Sequence, residues 1–208
     1  MKNSKKQKSS GTGKIRQMAL IAMMGAAAVI LMLFEIPLPF LAPPFYELDF
    51  SEVPVLIGAF ALGPVSGVLI ELLKILLNII INGTSTAGVG ELGNFLIGCS
   101  FILSASIIYH RKKDKKHAII GMVVGTVVMA VVGCLINGYL LLPFYSVSMG
   151  LPMETLVSMG TAINPAITNV MTFVVLAVAP FNLLKGVVVS ILTMLLYKRI
   201  SGLIKSHH

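Results

Sequence analysis

Charged side chains are scarce in this sequence. Asp, Glu, Lys and Arg make up 12% of the 208 residues, whereas a soluble domain carries about 25%. Hydrophobic residues make up 56%, and the mean hydropathy is +0.93. The 16 basic and 8 acidic side chains would cover the surface of a 22.2 kDa globule poorly, whereas lipid needs no such covering. The composition therefore excludes an ordinary soluble protein and predicts an integral membrane protein.

The sequence also lacks the side chains from which common catalytic and metal sites are built. Its four histidines all lie beside basic clusters, at His110, His117, His207 and His208. No intramembrane metal site of histidine and carboxylate ligands is therefore expected. Residues 11–14, GTGK, lack the spacing of a P-loop, so we do not expect this chain to hydrolyse ATP by itself. We predict neither an enzyme nor a bound cofactor.

Cysteine is scarce too, and no cleavable leader is evident. Cys99 and Cys134 lie within apolar stretches and are predicted to pack inside helices rather than to form a disulfide. The first apolar run, residues 18–33, has no clean small-residue cleavage site. It therefore predicts a retained helix rather than a signal peptide.

The basic residues that are present fall into three clusters. The clusters occupy residues 2–16, 111–116 and 198–205, and only Lys74 and Lys185 lie outside them. Because basic loops beside spanning helices stay in the cytoplasm, all three clusters are predicted to be cytoplasmic. A nucleic-acid-binding face is disfavoured because the clusters abut apolar runs and lack interleaved aromatic residues. Most acids lie in segments without a basic cluster, which are predicted to be on the outer side: Glu35, Glu47, Asp49, Glu52, Glu91 and Glu154.

The chain must cross the membrane an even number of times between residues 16 and 111 if both are cytoplasmic. Three apolar stretches lie between them, at residues 17–34, 53–82 and 92–110. The middle stretch would be about 45 Å long as one helix, against a hydrocarbon core of about 30 Å. It contains Gly63-Pro64, where a helix is expected to break. This stretch is therefore predicted to form two passes, one of them short.

The predicted fold class is an all-α integral membrane protein, a bundle of six transmembrane helices with both termini cytoplasmic. The last two spans are predicted within residues 118–142 and 181–197. Pro180 either kinks one long helix or separates a short outer helix, residues 166–179, from the last span, and we favour the separate helix. The single membrane domain, residues 1–208, is divided into a basic cytoplasmic tail at 1–14, an outer lid loop at 35–52, a cytoplasmic loop at 111–117 and an outer loop with a short helix at 143–180.

Two ionisable residues lie in the second half of the broken stretch. Glu71 and Lys74 are three residues apart, so they share one helix face and can neutralise each other. A structural ion pair buried in the bundle is the favoured interpretation. The alternative is a pair that couples the binding of a ligand or a partner to the position of the helix.

A second group of polar residues is predicted near the outer ends of the helices. Asn137, Asn182 and Lys185 belong to it, and Asn94 could reach the same depth. An amide both donates and accepts hydrogen bonds, so two Asn side chains can read the edge of a planar heterocycle, while Lys adds a charged donor. Helix capping by Asn and snorkelling by Lys remain alternatives.

The segment at residues 35–50 is rich in proline and aromatic residues. Four prolines prevent a continuous helix, and Phe40, Phe45, Tyr46 and Phe50 offer flat apolar faces for stacking. The segment is predicted to be a lid over an outward-opening pocket, or else an interfacial aromatic belt.

Small residues recur at helical spacing in two of the predicted spans. Ala22 and Ala26 are four residues apart in the first span, and Gly121 and Gly125 are four apart in the fifth. Such spacing lets a second helix approach closely. The glycines are predicted to serve internal packing, whereas the alanines could also dock a partner subunit.

Four stretches, taken together, resemble a known family. They are LDFSEVPVLIG at residues 48–58, GPVSGVLIELLK at 63–74, TAGVGELGNFLIG at 86–98 and PFNLLKG at 180–186. Their order and combination are similar to those of the substrate-binding S-components of energy-coupling factor (ECF) vitamin transporters. Among these, the chain most resembles the riboflavin-specific components.

The resemblance implies a six-helix bundle in a bacterial plasma membrane that binds one vitamin with high affinity near its outer face. By the same resemblance, Ala22 and Ala26 would dock onto a transmembrane coupling subunit that carries two ATPase subunits. Asn137, Asn182 and Lys185 match flavin-contacting positions. The stretch at residues 48–50, with Leu48, Asp49 and Phe50, matches a loop that lines the same pocket.

The chemistry of these residues suits riboflavin as the transported ligand. Phe45, Tyr46 and Leu48 suit the flat dimethylbenzene end of its ring. Asn137 and Asn182 suit the donors and acceptors of the pyrimidine-like edge, and Lys185 suits the ribityl hydroxyls. Binding is expected to order the outer loop, and ATP hydrolysis by the partners to reorient the loaded bundle.

Three other functions remain open on the sequence alone. The chain could be an S-component for another vitamin such as thiamine, folate or biotin, although Lys185 disfavours the cationic thiamine. It could be a proton-coupled carrier working alone, with Glu71 as the titrating group. A membrane enzyme is disfavoured because intramembrane His and paired catalytic carboxylates are lacking.

Overall fold

The computed structural model describes residues 3–148, 150 and 152–205, with side chains described for 13–148, 150 and 152–196. Nearly all of this chain is helical. The helices are α1 (Asn3–Met32), α2 (Glu52–Leu62), α3 (Pro64–Asn82), α4 (Val89–His110), α5 (Lys115–Ile136), α6 (Leu142–Ser148), α7 (Met153–Thr161), α8 (Val170–Phe173) and α9 (Ala179–Lys205). Two π-helical turns, Asn137–Leu141 and Val174–Val178, join α5 to α6 and α8 to α9.

Five helical runs are long and apolar enough to cross a membrane. They are Gly13–Met32, Pro64–Asn82, Val89–His110, Lys115–Ser148 and Val170–Leu196. Helix α2, the sixth apolar helix, has 11 residues and a length of about 16 Å, well short of a hydrocarbon core of about 30 Å. The structure therefore supports a multi-pass helical membrane protein with five candidate spans.

The predicted break in the second apolar stretch is confirmed. Gly63 separates α2 from α3 and has a φ of +107°, a conformation that glycine tolerates and other residues rarely adopt. Its N–H closes α2 by donating to the carbonyl of Ala59. Pro64 follows as the first residue of α3, where its missing N–H costs no helical hydrogen bond.

The prediction of a separate short helix over residues 166–179 is wrong. Helix α8 begins at Val170 after a capping box, in which Asn169 and Thr172 bond reciprocally to each other's backbone. The helical run then continues through the π-helical turn into α9 and past Pro180. A wider turn directly before proline absorbs its missing N–H and its bulk without ending the helix.

The outer loop predicted at residues 143–180 also contains more helix than expected. The run that begins with α5 extends through the first π-helical turn to Ser148, and α7 lies within the same segment. The sequence offered no signal for this extension, because Pro143 and the Ser and Gly residues after it are typical of loops.

The predicted lid loop at residues 35–52, called the lid segment below, contains two short β-strands that the all-α prediction missed. Strand β1 (Ile36–Pro37) pairs antiparallel with β2 (Glu47–Leu48), so that Ile36 lies opposite Leu48. Because proline prevents helix, the chain between α1 and α2 takes extended and turn conformations. The pairing folds the segment back on itself as a hairpin.

The core lies around the short helix α2. Its apolar side chains are almost wholly buried, and the helix packs against α1, α3, α4 and α9. The core cluster includes Leu56, Phe60, Phe101 and Met122. Large apolar side chains such as Val65 and Ile80 remain exposed on the outside of the bundle, as expected of helices surrounded by lipid. Helix α2 is thus a buried central helix, and the lid segment leads into its N-terminal end.

Candidate ligand-binding site

A cleft opens between the lid segment and the adjoining parts of α2, α4, α5 and α9. It encloses about 690 Å³ of empty space, including its open mouth. The side chains and glycines around it are Phe45, Tyr46, Glu47, Glu52, Gly90, Asn94, Ile97, Gly98, Met129, Asn137, Leu141, Tyr145, Phe181, Asn182 and Lys185. We refer to this space as the cleft.

Most of the site residues predicted from the sequence meet at the cleft. Six of them line it, namely Phe45, Tyr46, Asn94, Asn137, Asn182 and Lys185. The three residues of the stretch at 48–50 do not. Leu48 is buried against Ala42 and Phe181. Asp49 is also buried, and it accepts a hydrogen bond from Lys185. Phe50 is half-buried, and its carbonyl accepts the N–H of Val53.

Aromatic rings form one wall of the cleft. The ring of Tyr46 lies 4.8 Å from that of Phe45 and 5.6 Å from that of Phe181, measured between centroids. The Tyr46 hydroxyl donates to Oδ1 of Asn137 at 2.5 Å. Burial raises the pKa of Tyr46 well above its usual range, so the hydroxyl keeps the proton that it donates. The wall therefore combines flat apolar faces with a fixed polar edge.

Two amides lie next to the two π-helical turns. Asn137 begins the first turn and donates from Nδ2 to the carbonyl of Gly133 at 2.8 Å. Asn182 follows the second turn and donates from Nδ2 to the carbonyl of Val178 at 2.9 Å. A Cβ at Gly133 would lie 2.7 Å from Asn182 Nδ2, so glycine on α5 leaves room for the Asn182 amide of α9. Turns of this kind are frequent at functional sites.

Lys185 is held by an acid from the lid segment. Its Nζ lies 2.8 Å from Oδ2 of Asp49, whose Oδ1 accepts hydrogen bonds from the backbone and hydroxyl of Ser51. Burial alone would raise the pKa of Asp49, but Lys185, Lys74 and the Ser51 bond outweigh it and lower the pKa to about 2. Asp49 is therefore ionised, and the pair ties the lid segment to α9.

The predicted contact between Glu71 and Lys74 is present and has a third member. Lys74 Nζ lies 2.7 Å from Oε1 of Glu71 and 2.8 Å from Oε1 of Glu52. All three side chains are at most 1% exposed. Glu52, predicted only to lie on the outer side, lines the cleft and links it to this buried network.

Several cleft residues were missed by sequence reasoning. They are Glu47, Glu52, Gly90, Ile97, Gly98, Met129, Leu141, Tyr145 and Phe181. A signal existed for two of them: Glu52 lies three residues after Asp49, and Phe181 precedes Asn182 in the PFNLLKG stretch. The apolar and glycine positions on α4 and α5 carried no signal, because they look like ordinary helix packing.

The hairpin at the cleft mouth brings two acids together, and we predict that its stability depends on pH. Burial, a hydrogen bond with Glu47 and the charges of Glu47 and Asp49 raise the pKa of Glu35 to about 7, while Lys185 opposes this. Protonation of Glu35 therefore stabilises the hairpin. This contribution should be complete below about pH 4.5 and be lost as the pH rises through about 7.

Amide hydrogen exchange of the hairpin, measured between pH 5 and 8 and corrected for intrinsic rates, checks this prediction. Protection should fall across that range in the natural chain and stay constant in Glu35→Gln. Equal profiles for the two proteins would contradict it.

The small residues of α1 lie on two different faces. Ala22 and Ala26 are exposed, whereas Gly25 and Ala28 are buried in the bundle. A Cβ at Gly25 would lie 2.6 Å from the side chain of Leu73, so that face packs tightly on α3. The two alanines therefore present a flat strip on the surface of the bundle.

Cys99 and Cys134 are both free thiols, as predicted.

The chain is similar to several proteins of known function. The riboflavin transporter RibU of Staphylococcus aureus (strain TCH60) is 36% identical over 91% of this chain and 93% of its own length. The riboflavin transporter FmnP of Bacillus subtilis (strain 168) is 31% identical over 88% of this chain and 91% of its own.

A solved structure and a family model agree with these relatives. The solved structure, described as "Structure and mechanism of the S component of a bacterial ECF transporter", has a TM-score of 0.73 at 35% identity and covers 92% of this chain and 99% of its own. The model of the ECF transporter, substrate-specific component, matches residues 16–197. The chain therefore belongs to the family of substrate-specific components of ECF transporters.

Proposed function

We propose that this chain binds riboflavin in the cleft and serves as the riboflavin-specific subunit of an ECF importer in a bacterial plasma membrane. The observation that carries the proposal is the composition of the cleft, where a wall of aromatic rings faces two amides and a lysine. Two similar proteins are named as riboflavin transporters. The family consists of transporter components, so the expectation that this chain is not an enzyme is confirmed.

The cleft has a partner for each part of riboflavin. The tricyclic ring stacks against Tyr46 and Phe45, which already lie at stacking distance from one another. The amides of Asn137 and Asn182 each use one N–H within their own helical run, which leaves further donor and acceptor capacity for the pyrimidine-like edge. Lys185 lies within reach of the ribityl chain.

For the membrane topology, we propose six crossings with both termini in the cytoplasm. In this arrangement α2 is a short additional pass beside the five long spans, and the lid segment at residues 35–52 completes it on the outer side. The basic segments at 1–14 and 111–117 lie inside, and the segment at 143–180, with α7, lies outside. The cleft then opens toward the side from which the vitamin arrives.

For the partners, we propose a transmembrane coupling subunit and two ATPase subunits. Ala22 and Ala26 are both exposed and small, which suits close helix packing, and the exposed side chains of Met18 and Ile30 flank them on the same helix face. Riboflavin binding would order the lid segment over the cleft. ATP hydrolysis by the partners would then reorient the loaded bundle and release the vitamin inside.

Titration of riboflavin with purified protein in detergent tests the proposed function. The flavin fluorescence should be quenched with one site per chain, because stacking on aromatic rings quenches the excited ring. Thiamine and biotin added in excess should not restore the fluorescence. Absence of quenching by riboflavin, or its full reversal by another vitamin, would overturn the assignment.

A further inference from the structure

Glu52 has one carboxylate oxygen that nothing in the described part of the chain satisfies. Its Oε1 accepts from Lys74 Nζ at 2.8 Å, whereas Oε2 is buried and has no hydrogen-bond partner among the described residues. A buried carboxylate oxygen without a donor is costly. Because Glu52 lines the cleft, a donor that enters the cleft can meet this need.

The surroundings of Glu52 hold its carboxylate in place and leave a route to it. Glu52 begins α2, and Lys74 anchors it from α3 with both side chains at most 1% exposed. Gly98 of α4 also lines the cleft, and a Cβ there would press against Glu71 Oε1 and lie 2.9 Å from Glu52 Oε1. Any larger residue at that position would crowd both carboxylates, so glycine keeps this side of the cleft open.

We propose that Glu52 Oε2 accepts a hydrogen bond from a ribityl hydroxyl of riboflavin, and so selects flavins that carry a polyol chain. This inference rests on the proposed function. Carboxylate oxygens such as Glu52 Oε2 accept hydrogen bonds, whereas the amino group of Lys185 on the same cleft donates them. A hydroxyl does both, so a chain of adjacent hydroxyls can satisfy the two groups together. The ring has a single N–H donor, which the amides already suit.

Two variants of the buried network separate this role from a structural one. Glu52→Gln keeps a carbonyl acceptor for Lys74 but replaces the second oxygen by an NH2 donor. Glu71→Gln is the matched control, because Glu71 also contacts Lys74 but does not line the cleft. Thermal unfolding in detergent would verify that both variants are folded. Glu52→Asp, which keeps the charge but withdraws the oxygens, serves if Glu52→Gln does not fold.

Binding of riboflavin and of lumiflavin, which has the same ring but no ribityl chain, is then measured by fluorescence quenching. Glu52→Gln should weaken riboflavin by roughly 10- to 100-fold, as expected for a hydrogen bond to a charged group. It should leave lumiflavin within about twofold of the natural chain, and Glu71→Gln should leave both ligands within that range.

The possible outcomes are distinct. Unchanged riboflavin affinity in Glu52→Gln, equal losses for the two ligands, or an equal loss in Glu71→Gln would each overturn the contact. A natural chain that fails to quench riboflavin at all would overturn the proposed function, and this contact with it.

Discussion

Replacing Asn182 by Leu should weaken riboflavin binding by roughly 10- to 100-fold, the range for a lost hydrogen bond to a site built around it. Leucine branches at the same atom as asparagine, so the side chain keeps a similar outline while the polar edge of the cleft loses a donor and an acceptor. The carbonyl of Val178 also loses the hydrogen bond that Asn182 now donates. Fluorescence titration of the purified variant measures the change.

The control for this substitution is Asn78→Leu. Asn78 is a buried asparagine of α3 that accepts a hydrogen bond from Asn82 and does not line the cleft. It should alter riboflavin affinity by less than about twofold, although it can lower stability. Similar losses in the two variants would show that Asn182 acts through folding and not through the ligand.

Replacing Ala22 by Trp should abolish riboflavin uptake by cells and leave riboflavin binding by the purified chain intact. An indole on the Ala22–Ala26 strip would keep the coupling helix from close contact with α1. Loss of a central packing contact costs at least about 2 kcal/mol, or roughly 30-fold in association. Because the strip lies on α1, away from the cleft, the affinity for riboflavin should stay within about twofold.

Val123→Trp provides the matched control for the docking prediction. Val123 is 60% exposed on α5, so the new ring would face lipid rather than a partner helix. Uptake should remain near that of the natural chain. Uptake that survives Ala22→Trp, or that is lost equally in Val123→Trp, would refute a docking role for the alanine strip.

The helical pattern of the fold could be predicted where the signal was local. Gly63 and Pro64 mark the break between α2 and α3 because each imposes its own backbone geometry at that point. Pro180 led to a wrong prediction for the same reason, because proline usually ends a helix. Here the π-helical turn before it accommodates its missing N–H. The sequence of the second turn, VVLAV, contains nothing that sets it apart from α-helix, and the Asn-Gly pair that begins the first, NGYLL, is typical of a tight turn rather than of a π-helix.

The site was predictable in its residue types but not in its pairings. Asn137, Asn182 and Lys185 stood out because polar groups are rare in the apolar stretches. The partner of Lys185, however, is Asp49, 136 residues earlier in the chain. Resemblance placed Asp49 in the pocket lining, whereas in the fold it positions a lining residue.

Glu52 illustrates a second limit of sequence reasoning. The position of Glu52 in a segment without a basic cluster indicated only the outer side of the membrane, because burial of a carboxylate depends on a counter-charge from another helix. Lys74 supplies that charge. The pairing of Glu71 with Lys74, by contrast, followed from a spacing of three residues on one helix and was predicted.

The π-helical turn Val174–Val178 makes the chain between α8 and α9 tolerant of a change in its length. A π-turn accommodates one residue more than the corresponding α-helical path, whereas each residue of an α-helix advances the direction of its side chain by about 100°. Deleting one residue from Val174–Val178 would thus convert the turn to α-helix and leave the cap at Asn169 in nearly its present direction relative to Asn182 and Lys185. A one-residue deletion within the α-helical part of α9 before Asn182 would instead rotate the cap by about 100° relative to these two residues, and should therefore be tolerated far less than a deletion in the turn, none of whose side chains lines the cleft.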